Sequence, residues 1–288
     1  MRNDGKSEAS NAAATPAIIN ALAILESFDE KTPALSLSEL SRKLGIAKAS
    51  VFRNLNALEQ CGYVVKSPRD GTYSLGVKVL DLARRFSEKD HFLSIGSAHT
   101  RELSRVTGET SHLAILDGPD IVYVDVSEGS QLIRAVVGRG DRLPAHSVAS
   151  GKAILAYSPR DKVIEFLGRG LKSLTPETMT SSEDLLTDFE RVRERGYATN
   201  IGESASDVSA VAVPIFSHDD QVVGAIGIAG PRLRLGAKML AYLATAIQAQ
   251  AQRFSAELGA SSSRSGAPAS DASEVLAGLK KRRKLAAA

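Results

Sequence analysis

At 288 residues, 43% hydrophobic and 24% charged, the chain has material for about two globular domains. Its single cysteine, Cys61, excludes a disulfide framework within the chain and any cysteine-rich zinc module, and no stretch approaches the ~20 apolar residues of a membrane span. The formal net charge of +3 says little about partners, because the segment from Gly259 onward sets six basic residues (Arg264, Lys280, Lys281, Arg282, Arg283, Lys284) against Asp271 and Glu274, leaving the rest close to neutral.

Residues 1–14 are polar and alanine-rich and are expected to be disordered. They contain no apolar signal region, so a cytoplasmic, non-membrane protein is expected. A helix is predicted from Pro16 to Asp29, with Ile18, Leu22, Leu25 and Phe28 on one face. Ser36 and Glu39 form an S-x-x-E capping box for a second helix whose apolar positions are Leu37, Leu40 and Leu44, and Gly45 stands where a C-terminal cap belongs. A third helix is predicted from about Lys48 to Cys61, seated by Val51, Leu55 and Leu58 and ended by Gly62; Cys61 reads as a small packed residue. YVVKSPRDGTYSLG has the form of a β-hairpin around a Pro-Arg-Asp-Gly turn. Helix, turn, helix and hairpin in this order predict a winged helix-turn-helix over residues 15–76. VKVLDLARRF then predicts a linker helix within residues 77–90.

Past residue 90 the pattern changes. A helix around Phe92–Val106 precedes three β-rich runs, Thr110–Leu116, Ile121–Ser127 and Gln131–Val137, the first two joined by an Asp-Gly-Pro-Asp turn. Helical segments follow near Gly151–Tyr157, Pro159–Leu167 and Ser182–Arg195. Strands are predicted at Val208–Phe216 and Val222–Ala229. A last helix spans about Leu235–Leu258, with Met239, Leu243, Ile247, Phe254 and Leu258 as its stripe. Two groups of strands split by helices predict an α+β domain over residues 91–258. Residues 259–288 read as a disordered basic tail containing KKRRK.

A helix that enters a major groove needs an apolar stripe to seat it, small residues near its start, and donors facing the bases. The third helix supplies all three. Ala49 and Ser50 are small, Arg53 can donate two hydrogen bonds to guanine, and Asn54 can pair with adenine. Lys43 and Lys48 suit phosphate, Ser38 on the preceding helix joins them as a candidate contact, and Arg69 at the hairpin tip suits the backbone or a minor groove. Six basic residues lie between Arg42 and Arg69 against one acid, Glu59, so double-stranded DNA is the expected partner.

Three further blocks follow in order: GDRLPAHSVASGKAILA, then ERGYATNIGES, then VSAVAVPIF with VVGAIGIAGP. Together with SLSELSRKLGIAKASVFRNLNALEQCGYV and YSLG, they make the chain resemble the IclR family of bacterial transcriptional regulators over about residues 15–258. The resemblance implies a GAF-like effector domain with an antiparallel sheet, and a homodimer or homotetramer on an operator. It also implies a small organic effector that changes operator affinity. It places that effector near His146 and against Ala149, Ser150 and Gly151, where a helix start offers N–H groups to an anion. Some members have an acidic residue, a cysteine and two serines in the pocket; at those positions this chain has Asn200, Ala210, Gly227 and Ala229. A smaller-walled, less polar pocket is implied, suited to an aromatic or longer-chain acid rather than a two- or three-carbon oxoacid. Ordinary strand packing is the alternative role for Ala210, Gly227 and Ala229, and a backbone-bonded loop histidine is the alternative for His146.

The rival class is an enzyme. The five histidines (His91, His99, His112, His146, His218) form no i, i+4 metal pair, and no nucleophile motif is recognisable. VGRGDR and GIAG lack the strand-turn-helix setting of a phosphate loop. A non-enzymatic protein without metal or cofactor is therefore expected.

Overall fold

The computed structural model describes residues 16–29, 31–89 and 91–261. The expected disordered N-terminus, and the basic tail from residue 262 on, lie outside the described residues. The chain divides into two compact units, Met1–Lys89 and Asp90–Ala288.

The first unit is a winged helix-turn-helix. Its elements are α1 (Pro16–Leu25), β1 (Ala34–Leu35), α2 (Leu37–Leu44), α3 (Lys48–Gln60), β2 (Val64–Lys66), β3 (Tyr73–Leu75) and α4 (Lys78–Lys89). The capping box forms as expected. Ser36 Oγ accepts from the Glu39 N–H, and Glu39 Oε2 accepts from the Ser36 N–H at 2.7 Å. Those bonds hold the Glu39 carboxyl below its ordinary range. Gly45 closes α2 at φ 66°, a left-handed position that costs glycine little, and Ser41 Oγ donates to Ile46 O at 2.6 Å to fix the turn into α3. Ile24, Leu40, Val51, Leu55, Val64 and Tyr73 form the core.

Three details of this unit differ from the expectations. Helix α1 buries Ile24, and Leu25 and Phe28 of the expected stripe pack against the core, whereas Ile18 and Leu22 are more than half exposed, so only the C-terminal part of that stripe faces inward. Strand β1 is too short for periodicity to reveal, yet it completes a three-stranded sheet in the order β1-β3-β2, pairing Leu35 with Tyr73. Cys61 is exposed rather than packed, because it follows the last turn of α3.

The second unit is α+β. It contains α5 (His91–Thr107), β4 (Thr110–Asp117), β5 (Asp120–Ser127), β6 (Arg142–Pro144), a 3-10 turn (Ala145–Ser147), α6 (Ala149–Tyr157), α7 (Arg160–Gly168), α8 (Ser182–Arg195), β7 (Ala198–Ile201), β8 (Val208–Phe216), β9 (Val222–Pro231) and α9 (Ala237–Glu257). The six strands form one antiparallel sheet in the order β6-β5-β4-β9-β8-β7.

The two faces of this sheet differ in side-chain size. On β8, Val211, Val213 and Ile215 point to the face covered by α5 and α9, with Leu240, Ile247 and Phe254 of α9 packed on them. Ala210 and Ala212 alternate to the other face, beside Ala225 and Ala229 of β9. Small residues there let α6 lie close to the sheet. All nine residues of α6 are buried. Gly151 is where α6 meets the preceding turn: a Cβ at this position would stand 2.1 Å from Ala145 O.

Segment Gln131–Val137 forms no strand. Strand β6 occupies the edge of β5 instead, and Leu132, Ile133 and Val136 are largely exposed, so their β-propensity reflects no packing partner. In α9 the buried stripe is Leu240, Ala244, Ile247, Ala251 and Phe254; Met239 is displaced from it to the exposed side.

Candidate functional site

In the first unit, α3 presents Lys48, Ala49 and Arg53 to solvent, with Ser50 and Asn54 half-buried. Arg69 is exposed in the β2–β3 turn, and Ser38 is half-buried on α2. Phe52, which no local sequence signal marks as a contact, is 45% exposed beside Arg53. An exposed aromatic on this face has the chemistry to meet a thymine methyl.

Two of the expected contacts are already engaged within the protein. Lys43 Nζ donates to Ser27 O at 2.7 Å and lies 3.4 Å from Asp29 Oδ2, so it closes the end of α1. Asn54 Nδ2 donates to Ser50 O at 3.0 Å, so reading adenine requires that side chain to leave its own helix.

In the second unit, a cavity of about 140 Å³ lies between the small-residue face of the sheet and the start of α6. From the sheet it is walled by His112, Tyr123, Leu143, Asn200, Ala210 and Ala229. Val148, Ala149 and Ser150 close it from α6, Ala135, Val136 and Val137 cover it from the β5–β6 segment, and Ser204, Ala205 and Val208 close the remaining side. None of these side chains carries a formal charge apart from the titratable His112 and Tyr123.

The start of α6 supplies polarity. Its N-cap, Val148, offers no side-chain acceptor, so the first-turn N–H groups of Ala149 and Ser150 are left for another partner. His112 Nε2 lies 2.9 Å from Ser150 Oγ, and the His112 ring meets Tyr123 edge-on at 5.0 Å. Burial pushes the imidazole pKa down to about 4, so the ring is neutral at pH 7; burial also drives the Tyr123 phenol upward.

Of the eight expected effector contacts, Ala149, Ser150, Asn200, Ala210 and Ala229 line this cavity. His146 does not. Its Nε2 donates to Lys172 O at 2.9 Å and its ring faces Phe166, the backbone-bonded alternative. Gly151 packs against Ala145 instead, and Gly227 lies against β8, where a Cβ would meet Val211 O at 2.5 Å. Asn200 is committed to its own loop, accepting from the Glu203 N–H at 2.8 Å and donating to Ser204 Oγ at 2.7 Å.

Also on α6, outside the cavity lining, Lys152 is fully buried. Its Nζ is 2.8 Å from both Glu203 carboxylate oxygens and 3.1 Å from Asp188 Oδ2. The Asp188 contact is an ion pair by distance without hydrogen-bond alignment. Burial raises the Glu203 pKa against the pull of Lys152. Lys152 and Glu203 sit inside the GKA and GES blocks, but nothing in their spacing reveals that they meet. Among the described residues, no group of three His, Cys, Asp or Glu side chains could hold a metal ion.

Comparison with known proteins gives two family matches: residues 17–68 to the IclR helix-turn-helix domain, and residues 88–256 to the bacterial transcriptional regulator IclR C-terminal domain. The chain is 33% identical to the HTH-type transcriptional regulator XynR of Escherichia coli K12 over 248 residues, covering 83% of this chain and 95% of XynR. It superposes on the crystal structure of the Thermotoga maritima IclR with a TM-score of 0.71 at 30% identity, covering 84% of this chain and 98% of that one. A Microbacterium hydrocarbonoxydans IclR homolog complexed with 4-hydroxybenzoate shares the fold, with a TM-score of 0.75 at 21% identity, covering 85% of this chain and all of that one.

Proposed function

The chain belongs to the IclR family of bacterial transcriptional regulators, and from that premise we propose that the cavity at the start of α6 receives a small aromatic or otherwise largely apolar carboxylate whose binding changes operator affinity. The observation that carries this reading is the pairing of free N–H groups at the first turn of α6 with mostly apolar walls, in which Asn200 and Ser204 are bonded to each other. A helix start stabilises an anion without a lysine or arginine in the pocket. Ala210 and Ala229 leave room for a flat ring. The ligand of the Microbacterium homolog, 4-hydroxybenzoate, belongs to the same chemical class and supports the reading.

The winged helix-turn-helix makes the chain a DNA-binding protein rather than an enzyme in this reading. Arg53 is the proposed base reader, with Ala49 and Ser50 allowing close approach, and Lys48, Ser38 and Arg69 placing the module on phosphate. The working form is a cytoplasmic homodimer or homotetramer on a pseudo-palindromic operator, with half-sites ~34 Å apart.

The test is a titration of the full-length protein with aromatic and aliphatic carboxylates. Melting temperature and affinity for a duplex selected from random sequence are both followed. An effector that shifts operator affinity must have its own affinity shifted by the same factor when DNA is present. If no aromatic carboxylate moves either quantity, the reading is wrong.

A further inference from the structure

We propose that His112 is a specificity-determining residue of this cavity: its ring turns the Ser150 hydroxyl into a hydrogen-bond donor aimed at the carboxylate of the ligand. The proposal rests on the reading of the cavity as the effector site.

His112 on β4 and Ser150 on α6 both line the cavity, are both buried, and are joined by the 2.9 Å contact between Nε2 and Oγ. One contact permits two arrangements. With the proton on Nε2, the ring donates to Oγ and the Ser150 O–H remains free to donate to a ligand. With the proton on Nδ1, Nε2 accepts the Ser150 O–H, and Oγ shows the cavity only lone pairs. A histidine tautomer is usually set by the bond its other nitrogen makes. Here Nδ1 is buried and has no hydrogen-bond partner among the described residues. A proton placed on it would be a buried N–H with no acceptor, which the Nε2–H tautomer avoids. Burial keeps the ring from adopting the charged form that would protonate both nitrogens.

The Nε2–H arrangement therefore aligns the Ser150 O–H with the N–H groups beside it, so the start of α6 presents donors to the cavity. A carboxylate matches that set. A carboxamide of the same shape brings an N–H₂ group against donors and leaves one of them unpaired. Lys152, the cation on α6, does not supply the discrimination, because it does not line the cavity and its ammonium is paired with Glu203 and Asp188. A serine bonded to a histidine is also the start of an acyl-transfer couple. Nδ1 lacks the carboxylate that would orient such a base, however, and burial makes the ring a weak one, so the pair serves recognition.

Benzoate and benzamide are a matched pair of probes for the full-length protein, by calorimetry and by ¹⁵N NMR of labelled histidines, with His112 identified by its absence from His112→Phe. Wild type is expected to prefer benzoate by about tenfold or more, with the His112 proton on Nε2 at saturation. In His112→Phe the preference should contract to about threefold or less, and His112→Gln, which can still donate to Ser150, should restore most of it. An undiminished preference in His112→Phe, or a proton on Nδ1 in the benzoate complex, overturns the role of His112. Ala229→Phe fills the cavity. Benzoate binding that survives that change, or absence of benzoate binding in wild type, overturns the reading of the cavity itself.

Discussion

Tyr123 and Asp125 are two residues apart on β5, yet they face opposite sides of the sheet. The pairing register with β4 jumps between Leu113 and Ala114, which leaves Val124 as the extra residue of a β-bulge. Tyr123 thereby walls the cavity, while Asp125 turns toward α5, accepts a hydrogen bond from Thr100 and pairs with Arg139. Regular alternation would have put a carboxylate in the cavity beside the start of α6, where it would repel an anionic ligand.

Asp125→Ala should therefore destabilise the second unit by ~1–3 kcal/mol, because it leaves the fully buried Thr100 hydroxyl with one partner fewer. Urea unfolding measures this. Thr100→Val in the same background should add little, since the two side chains act as a pair. Additive losses would mean that they do not.

Lys152→Met should cost ~3–5 kcal/mol, because Glu203 would remain buried without a counter-charge and Asp188 would keep only the more distant Arg195 at 3.8 Å. The double variant Lys152→Met/Glu203→Gln should recover part of that loss. Failure to recover any of it would locate the damage in packing around α6 rather than in charge.

Arg53→Ala and Lys43→Ala should part company. Arg53→Ala should weaken operator binding by ~1–3 kcal/mol and relax sequence preference, with unfolding unchanged. Lys43→Ala should act only slightly, and mainly on the stability of the first unit, because its exposed ion pair with Asp29 is weak. Fluorescence anisotropy on matched and mismatched duplexes separates the two.

Stability should fall on mild acidification through His112. The ring has its ordinary value of 6.5 in the unfolded chain and about 4 in the folded one. As pH drops from about 6.5 the unfolded state takes up the proton first, so the loss accumulates between 6.5 and 4 and then stops, reaching on the order of 3 kcal/mol. Glu203, whose carboxyl is raised by burial, works in the opposite direction, since its folded form binds the proton more readily. His112→Phe should flatten the slope between pH 6.5 and 4.5 in denaturant midpoints, and an unchanged slope would exclude His112 as its source.

The DNA-binding module was the most legible part of the chain, because short-range rules act within it. Ser36, Glu39 and Gly45 are cap signals that depend on residues within a few positions, and the structure uses all three as read. The sheet of the second unit was legible as strands and less so as faces. Val208–Phe216 is β-rich whichever way it points, but the bulge at Val124 and the short β1, β6 and β7 depend on partners far along the chain. The cavity was legible in Ala149, Ser150, Asn200, Ala210 and Ala229 through family resemblance. His112 and Tyr123 were missed because a lone histidine or tyrosine in an apolar strand carries no local sign of what faces it. His146 was the reverse case, a histidine in a matching motif whose ring serves Lys172 O.

The complete burial of α6, with Gly151 wedged against Ala145 and Lys152 pinned by two carboxylates, leaves that helix no room to slide or turn. One end of the cavity is thus a fixed socket, whereas the opposite walls are single side chains on strands and loops. Under the proposed reading, exchanging Ala210, Ala229 or Val208 would give the sensor a new ligand while the end at α6 is kept. Across descendants of this chain, ligand size should drift more readily than ligand charge.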